Sequence, residues 1–390
     1  MNAHPDARPI VIVGAGMAAY SLARELRKRD QRRALLLVAS DAGHSYAKPM
    51  LSNAIALGKG AQQLVAHSAA AMAAQLGAGV RTHTRVSAID SAARTLATDG
   101  GETIGYAKLV LALGAQPIRL ALEGDGAAAV LSVNHLDDYA ELRARLERAG
   151  AAARVVILGA GLIGCEFADD LAAGGHQVTL VDPQPRPLAA LAAPALSNGL
   201  AAAWRERGIT LRLGTTAARV DRDGAALAVT LADASVLAAD LVISAVGLRP
   251  RLALAQAAGL ATARGIVVDA YGRTSAGDIY ALGDCAEYST AGGSVVLPYV
   301  APLLTAARAI AATLAGQPTP LAVKPDAVIV KTPSYRLALA PPPPGTAGTW
   351  VERDDGERIV ARFIDQLGAL RGFGLSAPTA ALRASLLAEL

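Results

Sequence analysis

An α/β architecture, built from two copies of a doubly wound βαβ unit and closed by a small α+β domain, is predicted by three observations. Residues 10–26 read IVIVGAGMAAYSLAREL and residues 155–171 read VVILGAGLIGCEFADDL: an apolar run of strand length, a glycine-rich turn and an amphipathic helical pattern, twice over. Each unit is followed by a strand that ends in a glycine–proline stop, Leu113-Gly114-Ala115-Gln116-Pro117 in the first half and Val246-Gly247-Leu248-Arg249-Pro250 in the second. Beyond Pro318 and Pro320 the texture changes, to VIVKTPSYRLAL and the tract Pro341–Pro344.

The elements follow in order. A strand is expected over 10–13, a helix over about 17–29 and a second strand over 34–39. Loops and short helices fill 41–76; VRTHTRVSAID at 80–90 alternates as a strand does, and KLVLA at 108–112 is another. The second unit occupies 154–182, with further strands at 209–213, 227–231 and 240–245. GDIYALGD forms a strand leading to Asp284, and a helix runs from about 302 to 315. The C-terminal region carries strands near 349–353 and 358–364 and a helix near 378–389. The duplicated strand–loop–helix–strand pattern is the internal repeat of the chain.

Composition excludes several classes. A chain of 390 residues, 53% hydrophobic and 18% charged, has room for two or three well-buried domains. The apolar runs fall short of the ~18–20 residues that span a bilayer, and Gly14 and Gly16 interrupt the N-terminal run before Arg24, Glu25, Arg27 and Lys28, so no membrane association is expected and the cytoplasm is the expected compartment. Cys165 and Cys285 lie far apart, which is neither a disulfide framework nor a zinc site. His4, His44, His67, His83, His135 and His176 show no metal spacing, and no metal is expected. The net charge of +4 is a mild basic bias without a basic–aromatic block, so no nucleic-acid partner is expected.

The loops carry the chemistry. In Gly159-Ala160-Gly161-Leu162-Ile163-Gly164 the first glycine permits a tight turn, the second lets backbone approach a pyrophosphate, and the third lets helix pack closely on strand. Gly14-Ala15-Gly16-Met17 repeats the register, with Ala19 at the third position. Phosphates then sit at helix N-termini, where free N–H groups and the dipole favour negative charge. These are two Rossmann-like dinucleotide-binding domains. Asp182, ending VTLVD, is placed to accept hydrogen bonds from a ribose and to repel a 2′-phosphate, which favours NADH; Arg186, four residues on, works against that preference. In the first unit the corresponding stretch is Ala39-Ser40-Asp41, with Asp41 the better ribose acceptor. Two dinucleotides in one chain suggest hydride transfer between a nicotinamide and a flavin.

The segment TSAGDIYALGDCAE at 274–287 resembles the second FAD motif of the two-dinucleotide-fold flavoprotein reductases, matching at Thr274, Ile279, Tyr280, Ala281, Gly283 and Asp284. The resemblance implies FAD in the first loop and NADH, as substrate, in the second. It also implies an FAD-binding domain over 1–115 and 246–318, an NAD-binding domain over 116–245 and a C-terminal α+β domain over 319–390. Where many of these reductases place a thiol beside the flavin, this chain has HSYAKPMLSN at 44–53 without cysteine, and a second-domain CxxC has only Cys165 to offer. Tyr46-Ala47-Lys48-Pro49-Met50-Leu51-Ser52 resembles the Y-x-R/K-P-x-L-S signature of ferredoxin- and rubredoxin-type reductases. Asn53 and the single C-terminal-domain Trp350 set the chain apart from the ferredoxin branch, and nearly the whole chain is similar to the bacterial reductases of rubredoxin.

That likeness implies an enzyme passing electrons singly from NADH through flavin to rubredoxin, a transient acidic partner. The alternatives are a ferredoxin or flavorubredoxin acceptor, or a slow NADH-binding flavoprotein of the apoptosis-inducing-factor kind. By the resemblance, Lys48 lies near the reactive flavin nitrogen and is paired with Glu166, Lys331 contacts the FAD, and Val86 and Val300 supply backbone contacts to adenine and isoalloxazine. Gly14, Ala15, Gly16, Met17, Ser40, Asp41 and Asp284 complete the flavin side, Gly159, Gly161, Ile163, Gly164 and Asp182 the nicotinamide side, and Gly247 is a further cofactor-binding position. A helix starting near Pro302 points its positive end at the flavin pyrimidine.

Overall fold

Five short strands, three of them apolar throughout, are the frame of the first half. In the computed structural model, which describes residues 7–290, 293–322 and 324–390, Ile279–Ala281, Lys108–Leu111, Ile10–Val13, Leu35–Val38 and Gly79–Arg81 lie side by side in that order as a parallel sheet. Runs such as IVIV and KLVL suit strands buried on both faces, and Val11, Ile12, Leu109, Val110 and Leu111 are fully buried. Helices Met17–Arg27 and Val300–Leu314 pack against each other over this core, which Ala19, Leu22, Ala307 and Ile310 join.

The second half repeats the plan. Thr210–Leu213, Gln177–Asp182, Arg154–Leu158 and Leu241–Ser244 form a parallel sheet in that order. Each half also carries a three-stranded antiparallel meander, Val86–Asp90, Thr95–Thr98 and Thr103–Gly105 in one and Ala217–Asp223, Ala226–Leu231 and Val236–Ala239 in the other. The C-terminal region is a five-stranded antiparallel sheet, ordered Val328–Val330, Leu337–Ala340, Leu370–Ser376, Ile359–Asp365 and Gly348–Asp354, with Leu386 of helix Ala380–Glu389 buried among Phe373 and Leu375.

Two compact units result: Met1–Lys48, Val65–Gln116 and Arg249–Lys324 form one, and Pro49–Leu64, Pro117–Leu248 and Pro325–Leu390 the other. No helix among the described residues is long and apolar enough to cross a membrane.

Three expectations are corrected. The strand expected over 80–90 is two strands, because His83 takes a left-handed φ of +50° that no strand sustains. Gly79–Arg81 pairs parallel with Leu35–Val38, whereas Val86–Asp90 starts the antiparallel meander. The helix expected from Pro302 begins at Val300, capped by Tyr299, so Pro302 lies in its first turn, where the missing N–H costs nothing. The helix after the second loop, Leu162–Ala173, is not amphipathic in the usual sense: its acids Glu166, Asp169 and Asp170 are all buried.

Candidate functional site

The two glycine loops are alike in backbone and in the space they leave. Gly14 and Gly159 have φ of +122° and +107°, and a Cβ on either would strike the carbonyl of the neighbouring strand's end: Ala112 O for Gly14, and Ala245 O, at 2.7 Å, for Gly159. Only glycine makes these turns. At Gly16 and Gly161 a Cβ would meet nothing within 4 Å, so both positions open to free space over a helix N-terminus. Neither helix, Met17–Arg27 or Leu162–Ala173, has a side-chain cap or an acid in its first turn. Their orphan N–H groups and positive ends face outward, as an anion requires. At the third position Ala19 is fully buried, and a Cβ on Gly164 would overlap the carbonyl of Gly159. Ala15 is buried in the first loop, Met17 opens its helix, and Ile163, in the first turn of the second, is 40% exposed.

The ribose positions differ between the loops. Gly159 N donates to Val181 O and Gly14 N to Val38 O, both at 2.8 Å, so the residue standing where Asp182 stands is Ala39. Asp182 accepts from Ala160 N at 2.6 Å and Gln184 N at 2.8 Å, which draws its carboxylate to the loop. Asp41, two positions further along its strand end, accepts from Gly43 N at 2.8 Å in a local turn, and with Ser40 it is exposed. Arg186 keeps a buried Nε without a hydrogen-bond partner.

Around the first loop the structure gathers Asp284 and Lys48. Asp284 sits in the short turn Gly283–Cys285, whose first residue has φ +77° and whose Cβ would stand 3.1 Å from that of Ala18, in the first turn of helix Met17–Arg27. Gly283 N donates to Tyr288 Oη at 3.0 Å, which holds the turn, and burial pushes the Tyr288 phenol up. Lys48 Nζ lies 3.8 Å from Asp284 Oδ2. Val86 begins the meander strand, and Val300, 40% exposed, begins its helix.

In the other unit Gly247, after strand Leu241–Ser244, has φ +114°, and its carbonyl accepts from Ile118 N. Glu166, 1% exposed, accepts from Ser52 Oγ at 2.6 Å and from Lys331 N at 3.2 Å, and forms an ion pair with Lys331 Nζ. The same ammonium donates to Pro49 O at 2.7 Å and Ser52 Oγ at 3.2 Å. Lys331, which the resemblance gives to the FAD, is an ion-pair partner of Glu166, because the strand Val328–Val330 delivers the next residue onto the buried carboxylate. Ser52, the last residue of the Y-x-R/K-P-x-L-S stretch, is a link in this network through its hydroxyl. Asp169 and Asp170 were missed altogether; three acids at i, i+3 and i+4 inside an otherwise apolar helix are the signal that marks them.

The thiols are buried and inert in kind. Cys165 Sγ lies 3.2 Å from Ala160 O, and burial holds its thiol well above the usual range; burial pushes Cys285 up to about 11.

Two loops of this kind, each open for a pyrophosphate at the end of a parallel sheet, define the class of oxidoreductase that brings two dinucleotides together. The chain belongs to the pyridine nucleotide-disulphide oxidoreductase family, which residues 8–309 match, and residues 320–390 match the family described as the rubredoxin binding C-terminal domain. Membership brings use of a flavin and NAD(H). A rubredoxin-NAD(+) reductase of Acinetobacter baylyi is 43% identical, with 95% of each chain covered. A nitric oxide reductase FlRd-NAD(+) reductase of Aeromonas hydrophila is 41% identical over 94% of this chain and 92% of its own. Among solved structures, the covalent putidaredoxin reductase–putidaredoxin complex superposes with a TM-score of 0.88 at 26% identity, covering 98% of this chain and 94% of that one.

Proposed function

We propose that this chain is a cytoplasmic, NADH-dependent, FAD-containing reductase of rubredoxin. The observation that carries the reading is the pair of loops whose second glycines, Gly16 and Gly161, open onto helix N-termini without a side-chain cap, in a chain whose C-terminal segment matches a rubredoxin-binding family. FAD fits the first loop: Asp284 stands at its helix, on a turn that approaches Ala18, with Lys48 as counter-charge. In this reading residues 1–115 and 246–318 hold FAD, 116–245 hold NADH and 319–390 form the docking domain.

When bound, the flavin supplies two-electron acceptance from NADH and one-electron release to an iron carrier. The protein's part is to hold and orient. Gly16 and the N-terminus of Met17–Arg27, with Ala15 and Met17, take the pyrophosphate of FAD, and Ser40 and Asp41 its ribose. Val86 and Val300 supply backbone to the adenine and the isoalloxazine, and Gly247 lets backbone approach. Gly161, Ile163 and Gly164 take NADH, and Asp182, drawn to the loop by Ala160 N, discriminates against a 2′-phosphate. Lys48 supplies positive charge near the flavin, where it favours the electron-rich state, and Lys331 does so with its charge balanced by Glu166, which limits the cost of burying it.

The experiment is anaerobic stopped-flow mixing. NADH should bleach the yellow flavin, and purified rubredoxin should restore it, two rubredoxins consumed per NADH. The alternative acceptor, a flavorubredoxin with its own rubredoxin domain, belongs in a parallel syringe beside a ferredoxin. Faster reoxidation by ferredoxin than by either rubredoxin overturns the acceptor assignment. FMN rather than FAD released on denaturation overturns the cofactor assignment.

A further inference from the structure

Helix Leu162–Ala173 buries three carboxylates within two turns: Glu166, Asp169 and Asp170 are 1%, 2% and 6% exposed. Burying a carboxylate is costly unless it is paired or fully hydrogen-bonded. Glu166 has the ammonium of Lys331, whereas no ion pair to Asp169 or Asp170 occurs among the described residues. Neutral donors hold both instead. Asp169 accepts from Trp204 Nε1 at 3.1 Å, from Ser334 N at 3.1 Å and from Ser334 Oγ. Asp170 accepts from Ile55 N at 2.9 Å on one oxygen and from Ala56 N at 3.0 Å on the other.

The donors are not scattered. Ile55 and Ala56 follow the turn Lys48–Ser52, and Ser334 follows Lys331 by three residues. One turn nearer the glycine loop, Glu166 receives Ser52 Oγ from the first segment and Lys331 N and Nζ from the second. Each segment is thus fixed twice on one helix, once by a silent acid and once at Glu166. Burial raises the Asp170 carboxyl above its ordinary value, while the backbone N–H groups of Ile55, Ala56 and Ala54 act against that, so the acid is retained at a cost in desolvation.

We propose that Asp169 and Asp170 are positioning residues for the NADH-to-flavin step: Asp170 sets the segment that presents Ser52, and Asp169 sets the segment that presents Lys331, so that both donors meet Glu166 on the helix that carries the NADH loop. The role in the reaction rests on the function proposed above; the clamp itself rests on the hydrogen bonds alone. A merely structural acid would affect melting, whereas a positioning acid also affects the rate of flavin reduction at saturating NADH.

The test is Asp170→Asn in the flavin-loaded full chain. An amide offers one acceptor where two N–H groups converge, so one of them loses its partner. Exchange of the Ile55 and Ala56 amides should accelerate by at least about tenfold. The limiting rate of flavin reduction should fall about tenfold or more, with the NADH dissociation constant within about twofold of wild type. Ser334→Ala, a milder change that takes one of the three donors from Asp169, should lower the limiting rate in the same sense and decides the matter if Asp170→Asn does not fold. Wild-type limiting rates in the variants, with the amides exchanging faster, overturn the positioning role and leave the function proposed above intact. A wild-type protein that NADH does not reduce overturns both, while its amide protection still reports the clamp.

Discussion

The ion pair between Glu166 and Lys331 should be asymmetric in what each half costs to lose. Glu166 is 1% exposed, whereas the Lys331 side chain is 30% exposed. In Lys331→Met the carboxylate stays buried with only two neutral donors, Ser52 Oγ and the backbone N–H at position 331. Stranding a buried charge in this way costs about 3–5 kcal/mol. In Glu166→Gln the remaining ammonium keeps Pro49 O, Ser52 Oγ and a route to water, so the loss is that of one charged hydrogen bond, about 1–2 kcal/mol. Removing both charges, in Glu166→Met with Lys331→Met, strands nothing and should be milder than Lys331→Met alone, since apolar replacement of a buried pair is often near neutral. For a unit of roughly two hundred residues, ~2–4 °C of melting shift per kcal/mol turns these into about 6–20 °C for Lys331→Met and about 2–8 °C for Glu166→Gln. Scanning calorimetry of the four flavin-loaded proteins reads the order directly. Equal shifts for the two single variants, or a double variant as unstable as Lys331→Met, would refute the argument from burial.

Gly161→Val should leave the fold intact, because a Cβ there meets nothing within 4 Å, yet weaken NADH binding by an order of magnitude or more; flavin content should stay stoichiometric, and loss of flavin instead would reverse the loop assignment. Asp182→Ser should raise acceptance of NADPH and weaken NADH by roughly 1–3 kcal/mol, read from dissociation constants for the two nucleotides; a wild type that uses both equally contradicts the role of Asp182. Cys165 and Cys285, both raised by burial, should resist a thiol reagent at pH 8 in the folded protein and react on unfolding, and Ser at both positions should leave turnover largely intact. Burial, with Arg143 nearby, lowers His176 from its ordinary value of 6.5, so the unfolded chain binds that proton more readily and stability is lost as pH falls below 6.5. His176→Gln should flatten the melting temperature across that window; an unchanged slope assigns the loss to other groups.

The glycine loops were legible because their requirements are local: a left-handed turn, an open position and a tight helix contact each demand glycine or alanine at a set spacing. The strand Ile279–Ala281 that leads to Asp284 was legible for the same reason, through a short contiguous motif. The Glu166 network was not, because Ser52, Glu166 and Lys331 are brought together from three distant segments, and nothing in the sequence near Glu166 says which lysine closes on it. Strand Leu370–Ser376 was missed because Gly372 and Gly374 read as turn residues; in the structure a Cβ on Gly372 would crowd Pro342 N at 2.6 Å, so glycine there serves close packing within a sheet. Helix Pro194–Glu206 also escaped notice. Its N-cap is Ala193, which has no side-chain cap, and its acceptor is Glu352, which takes Ala195 N at 2.8 Å from a strand far along the chain.

The order of the strands in the first sheet has a consequence for synthesis. Ile10–Val13 emerges early, yet the strand that closes the far side of Lys108–Leu111 is Ile279–Ala281, and the unit is complete only at Lys324. The second unit begins inside the first, at Pro49, and ends with the last residue. On the ribosome, then, neither half can finish before nearly the whole chain is out, and at about 5–20 residues per second the edge of Lys108–Leu111 waits on the order of ten seconds or more for its neighbour. An exposed parallel edge of KLVL is a template for mispairing during that interval. Slowing translation ahead of residue 279 should therefore lower the soluble yield, and cutting the gene into two separately expressed parts anywhere between residues 111 and 279 would leave the first sheet short of a strand.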